Sequence, residues 1–247
     1  VGTIAERFDS ALQRAGTPGL TGPELLPVRL MRACAETLPV DGAGLSVEDA
    51  SGRRLPLGAS SPDAATAERL QFMVGAGPCL AAHHSREPVF AMTADLRRRW
   101  LPFAELLLSR TPYRGVVALP LPLSLAGNLA IDLYFTDDAA VPRLPVFEAM
   151  ATGGLITSAL SEAAIWSDWE HAHGPEWLRT PAASRRAVVW EALGSLAVAH
   201  GTDSRGALDL LRAAAFSAGR PVDDVAADLL SGRISPTSLA PPEAPAT

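Results

Sequence analysis

The chain has 247 residues, enough for one large or two ordinary domains with substantial cores. Its 48% hydrophobic and 19% charged residues exclude a disordered polymer, and no apolar run approaches the ~18 residues expected of a membrane span. A formal net charge of −6, with every one of the 21 basic residues an arginine, excludes a generic polyanion binder, whose affinity would come from a basic surface.

An N-terminal helical segment comes first. GPELLPVRLMRACAETLP (Gly22 to Pro39) then carries apolar spacing suited to a helix packed on a sheet. Gly42 to Glu48 and Arg53 to Ser60 read as strands of a hairpin around the turn residues Asp49 to Gly52. Pro62 to Val74 reads as a helix broken by Gly75 and Gly77, REPVFAMT as a short strand, and ADLRRRWLPFAELLLSR as one further helix. Two longer strands follow, RGVVALPLPLS and GNLAIDLYFT, joined at Leu125 and Ala126. In the second, Leu129, Ile131, Leu133 and Phe135 alternate with Ala130, Asp132 and Tyr134, which predicts a sheet with one face covered by helices. Pro120 and Pro122 lack donors on the same side of their strand, which places that end on a sheet edge or past the paired region.

From Pro145 the pattern changes. VFEAMATGGLITSALSEAAIW is expected to form one helix that leaves the first domain, followed by a HAHGP linker bracketed by Trp166, Trp169 and Trp177. Three helical segments come after it: Arg185 to His200, Ser204 to Ala218 and Pro221 to Leu230, stopped by Gly201, Gly219 and Gly232. Each is too short to be stable alone, so they are expected to pack through Val188, Ala192 and Leu196, through Leu208, Leu211 and Ala215, and through Val222, Val225 and Leu229. The fold class is therefore α+β: an antiparallel sheet flanked by helices in residues 1–145, a connecting helix and linker in 146–179, a three-helix bundle in 180–236, and a disordered Pro-rich tail in 237–247.

The phrases VVWEALGSLAVAHGTDSRGALDLLRAAAFSAGRPVDDVAADLLSGRI resemble an ANTAR domain, the helical RNA-binding unit of bacterial antiterminators. The resemblance rests on Ala192, Gly194, Ala207, the Leu211–Arg212 pair and Val225–Ala226. Where many members carry a lysine between the first Ala and Gly, this chain has Leu193. LQFMVGAGPCLAA, ADLRRRW and ALPLPLSLAGNLAIDLYF resemble a GAF sensor domain of the type that precedes ANTAR. The pairing implies a cytoplasmic homodimer that binds tandem hairpins of a nascent leader RNA under control of the sensor, with an unidentified small molecule as input. It implies no enzyme activity, no cofactor and no membrane.

Arg185, Arg186, Arg212 and Arg220 are the candidates for phosphate or loop contact, since guanidinium both pairs with phosphate and stacks on bases. Ala192 and Gly194 offer either close approach of RNA to the helix backbone or tight helix crossing. Six arginines and six acids between Thr180 and Pro236 cancel, so affinity would be modest and salt-sensitive; the alternative is a bundle that serves dimerisation or protein contact. Cys79, Phe90, Trp100 and Tyr134 are candidates to line a ligand pocket in the sensor. The spacing of Cys79, His83 and His84, with His171 and His173, is superficially metal-like, but no second cysteine pair completes a zinc set, and no metal is expected. A reductase would need Cys34 beside Cys79, which nothing in the sequence provides.

Overall fold

The computed structural model describes residues 2–49, 51–123, 127–167 and 174–239. Its centre is an antiparallel sheet of β1 (Gly42–Glu48), β2 (Arg54–Ala59), β3 (Val89–Ala91), β4 (Gly115–Leu123) and β5 (Gly127–Phe135), in the order β2-β1-β5-β4-β3. Alternation on β5 sends Leu129, Ile131, Leu133 and Phe135 to one face, where they join Val117, Leu119, Ala43, Leu45 and Val47. Three helices cover that face: α1 (Ile4–Ala15), α2 (Leu26–Thr37) and α7 (Val146–Ile165). The expectation that α7 leaves the domain is corrected. Ala149, Ile156, Leu160 and Ala164 bury its inner face against the sheet layer, so burial of that stripe ties the helix to β4 and α1. Trp177 then folds back, its indole N–H donating to the Leu160 carbonyl at 3.0 Å. The HAH part of the expected linker, and Trp169, lie outside the described residues.

The second face is covered too, against the expectation of one open face. Here α3 (Pro62–Val74), α4 (Pro78–Ser85), α5 (Thr93–Arg99) and α6 (Leu101–Arg110) pack over Ala118, Asp132 and Tyr134. The segment expected as one helix breaks at Trp100 because Pro102 has no N–H for an i−4 bond and its ring crowds the preceding turn. β3 pairs with β4 only over residues 116–118, so among the described residues the positions of Pro120 and Pro122 have a strand partner on the β5 side alone. The donor-free positions thus fall at a sheet edge, as their spacing requires.

The C-terminal segments form α8 (Pro181–His200), α9 (Ser204–Ala218) and α10 (Val222–Leu230). Thr180 and Asp203 cap α8 and α9 through their side chains, and Gly201 and Gly219 close them at φ 60° and 64°. Pro221 sits at the N-cap of α10, one position before the first turn. Ala192, Leu196, Ala207, Leu211, Ala215, Val222, Val225 and Leu229 make a common core, as short helices need. That core does not end at the bundle: it continues without a break into Leu70, Phe72 and Met73 of α3. α8 lies on β2, while α9 and α10 lie on α3.

Candidate functional site

Between the sheet and the α3–α4 layer lies a buried cluster of polar side chains. Ser46 and Arg54 come from β1 and β2, Glu68 and Gln71 from α3, Cys79 and His83 from α4, and Asp132 and Tyr134 from β5. All are buried. The strand period puts Asp132 and Tyr134 on the face opposite the Leu129–Phe135 stripe, and the i, i+3 spacing of Glu68 and Gln71 puts both on the inner face of α3. Gly44 makes room for this: a Cβ there would stand 2.6 Å from Glu68 Oε1. The β1–β2 ladder skips Leu57, a bulge on β2 a few residues after Arg54, while the β1–β5 register runs unbroken through Ser46.

The cluster is a connected network. Arg54 Nη2 donates to Glu68 Oε2 at 2.9 Å and Arg54 Nε to Ser46 Oγ at 3.1 Å. The Tyr134 hydroxyl donates to Glu68 Oε1 at 2.6 Å, and also stands 3.3 Å from Asp132 Oδ2. Gln71 Nε2 donates to Asp132 Oδ2 at 2.6 Å, while its Oε1 accepts the Cys79 N–H at 3.0 Å. Ser46 Oγ reaches Cys79 Sγ at 3.4 Å and His83 Nε2 at 3.3 Å. Three buried atoms of the network have no hydrogen-bond partner among the described residues: Arg54 Nη1, His83 Nδ1 and Asp132 Oδ1.

Burial, and then the neighbouring Glu68, push the Asp132 carboxyl well above the usual carboxylate range. Burial likewise raises the Cys79 thiol, with Arg54 opposing it, and raises the Tyr134 phenol together with Glu68. His83 goes the other way: burial and then Arg54 lower it to about 3, so it stays a neutral imidazole at ordinary pH. Burial alone would lower the Arg54 guanidinium, but Cys79, Glu68 and Asp132 together raise it above its ordinary value.

α3 has a second working side. Phe72, one residue after Gln71, is buried between two guanidinium groups of the bundle: Arg186 lies 3.3 Å and Arg212 4.9 Å from the ring centroid. Trp190 meets the same ring edge-on, with centroids 6.0 Å apart. Arg186 is fully buried and ion-paired with Asp223, Nε to Oδ1 at 2.5 Å. Arg212 Nε donates to the Phe72 carbonyl at 2.9 Å, placing a cation at the C-terminal end of α3. There Gly75 is left-handed, with φ 72°, and a side chain on it would meet the Arg212 guanidinium. Burial lowers Arg212 to about 10; Asp209 opposes this, and Arg186 and Arg54 add to it.

The sequence candidates therefore scatter. Cys79 and Tyr134 join the buried network. Phe90 is exposed on β3, and Trp100, stacked under Arg99 at 4.2 Å, packs beside Val89 and Ala82 instead. Arg186 and Arg212, expected to face RNA, point into the seam with α3, because pairing with Asp223 and capping of α3 compensate their desolvation there. Arg185 is exposed and lines a cavity of about 300 Å³ between β2, α3 and the start of α8, together with Arg32, Arg69, Thr180 and Glu68. Arg220 is half-exposed and paired with Asp228 at 2.8 Å. Ala192 is buried in the bundle core, whereas Gly194 is exposed with open space where a Cβ would lie. Leu193 is buried, which accounts for an apolar residue at that position. Cys34 sits in the α2 layer on the other face of the sheet, where burial pushes its thiol up to about 12. Sequence reading missed Ser46, Arg54, Glu68 and Gln71; the available signal was Asp132, an acid in mid-strand between Ala130 and Tyr134.

No protein-family model and no curated protein matches the sequence. Among solved structures, the chain is similar to the GAF domain of a phosphoenolpyruvate-protein phosphotransferase from Coxiella burnetii. That match has 14% identity and a TM-score of 0.44, covering 65% of this chain and 94% of that one. A GAF domain of the Acinetobacter phosphoenolpyruvate-protein phosphotransferase matches with 10% identity and a TM-score of 0.40, over 66% and 98% of the two chains. An RNA-binding Light-Oxygen-Voltage receptor matches with 17% identity and a TM-score of 0.20, over 77% of this chain and 47% of that one. Among the described residues, no helix is long and apolar enough to cross a membrane.

Proposed function

We propose that the chain is a transcription antitermination regulator: a GAF-like sensor that governs an ANTAR-like bundle able to bind tandem hairpins of nascent leader RNA. In this reading it is a homodimer and a binding protein, not an enzyme, and the docked arrangement is the RNA-silent state. The observation that supports the reading is the two-sidedness of α3. Its inner face carries Glu68 and Gln71 of the buried network, and the adjacent Phe72 holds Arg186 and Arg212 of the bundle. A change in the network that shifts α3 would release those guanidinium groups, giving one two-state element that both parts of the chain bias. Exposed apolar side chains at the two ends of α7, Phe147 and Met150 at its start and Ile165 and the following Trp166 at its end, offer surface to a second copy.

A second reading has its own support. The bundle's charges cancel and its best RNA candidates are engaged within the chain, as suits a module for protein contact. A gel shift separates the two, with tandem-hairpin leader RNA set against the same RNA with scrambled loops. Phe72→Ala, which opens the seam, is expected to bind the tandem hairpins about tenfold more tightly than the unaltered chain, and the scrambled RNA no better. Absence of binding by the variant, or equal binding to both RNAs, would sink the antitermination reading and leave the second.

A further inference from the structure

We infer that the buried network of the sheet domain is a binding site for one divalent transition-metal ion, held by Glu68, Cys79 and Asp132. The inference does not depend on whether the bundle binds RNA. A carboxylate oxygen from each acid and the Cys79 sulfur all lie within 4.8 Å of one another. They come from α3, α4 and β5, so the fold itself brings them together without a loop having to close. Each of the three is buried, and Asp132 Oδ1 has no hydrogen-bond partner. An unpaired carboxyl oxygen in a dry interior costs free energy that a coordinated cation would recover.

Charge balance selects the ion. Arg54 already faces both acids, its Nη2 donating to Glu68 Oε2 at 2.9 Å and lying 3.9 Å from Asp132 Oδ2. A dication that takes Glu68, Asp132 and Cys79 as ligands binds two carboxylates and a thiolate, and whatever protons those groups carried go to solvent. Three negative charges then face three positive ones, two on the metal and one on Arg54. A dication leaves the loaded cluster neutral, where a monovalent ion on the same three ionised ligands would leave it one charge negative.

Size and softness narrow it further. Cys79 and Asp132 are buried, and their donor atoms lie within 4.8 Å of one another and of a Glu68 oxygen, a spacing that suits an ion. A thiolate beside two carboxylates favours zinc, cobalt(II) or iron(II) over calcium or magnesium. Three protein donors leave a fourth position, and the neutral His83, whose Nδ1 is unpartnered, stands one Ser46 hydroxyl away from Cys79. The spacing of Cys79 and His83 thus belongs to a site whose other donors come from distant strands and helices.

The test is a titration of the full, tag-free chain with cobalt(II) under anaerobic conditions, after chelator treatment. It reads the near-ultraviolet thiolate-to-cobalt charge-transfer band and the visible d–d bands. Roughly one ion per chain is expected, with zinc displacing the cobalt signal. Cys34→Ser should leave the spectrum unchanged, Cys79→Ser should abolish the charge-transfer band, and Asp132→Asn should weaken binding at least ~10-fold. The near-isosteric Asp132→Asn, checked for native circular dichroism, keeps the test valid should Cys79→Ser fail to fold. An unaltered chain with no charge-transfer band shows that the cluster is a hydrogen-bond network only and overturns the inference. A band that persists in Cys79→Ser, or full affinity in Asp132→Asn, overturns it equally.

Discussion

Arg186 and Asp223 show how a charged residue can change meaning between sequence and fold. On α8 alone, Arg186 is one of two adjacent arginines suited to a phosphate; in the folded chain it is sealed beneath Phe72 and bonded to Asp223. Burial lowers its guanidinium below the ordinary value, against the pull of Asp223, so the pair is held in place only while both members are present. Asp223→Ala should therefore cost about 3–5 kcal/mol in urea unfolding, because it strands a buried cation. The double variant Arg186→Met with Asp223→Ala should recover most of that loss; a double variant as unstable as the single one would show that the pairing is not what matters. Asp228 is a gentler case. Hydrogen bonds from Arg220 and Arg233 hold its carboxyl below the ordinary aspartate range. A lowered native value means that its stabilisation is complete above about pH 4 and lost as pH falls through the lowered value. The urea midpoints of the unaltered chain and Asp228→Asn should thus differ at neutral pH and converge in acid.

At the scale of elements, the punctuation of the chain was readable and the directions of its faces were not. Gly201, Gly219 and Gly232 ended helices, and alternation on β5 named its buried stripe correctly, because both signals are local backbone properties. The break at Trp100 was missed because a proline two positions into a helix looks in sequence like one that merely interrupts it. α7 was sent outward because its Ala- and Gly-rich face says nothing of what it packs against. The polar network is only partly legible, because its eight members come from five elements: Cys79, His83 and Tyr134 attract notice singly, and nothing in the sequence joins them to Ser46, Arg54, Glu68, Gln71 and Asp132. The bundle misled for a related reason: it has two buried sides, one for its own helices and one for α3, and a single sequence does not separate them. Gly194 offers a test at this scale. It sits exposed in mid-α8 with open space at its Cβ position, so Gly194→Ala should raise stability by about 0.5–1 kcal/mol through helix propensity alone. If the glycine instead serves close approach of RNA, that same stabilised variant will lose hairpin binding in the gel shift.

For the whole molecule, the decisive feature is that the bundle's core runs into that of the sheet domain. Phe72 and Met73 of α3 belong to one apolar cluster with Val189, Leu211 and Val225, whereas the other face of the sheet has a separate cluster built on α1, α2 and α7. A shared core makes the two parts unfold together, so the unaltered chain should show one urea transition by far-ultraviolet circular dichroism and tryptophan fluorescence alike. Phe72→Ala removes the ring at the seam, a loss of about 3–5 kcal/mol, and with it the surface on which Arg186 and Arg212 stack. The α1–α2–α7 side keeps its contacts in that variant, because none of its core residues belongs to the seam. The bundle should therefore melt first, reported by Trp190 of α8, whose indole meets Phe72 edge-on in the unaltered chain and is left at the opened seam in the variant, while the sheet persists to higher urea. Two separated transitions would make the docked bundle a releasable part, as a switch requires. Coincident transitions in the variant would mean that the bundle is a permanent wall of the sheet domain, and release of its arginines would cease to be available as a mechanism.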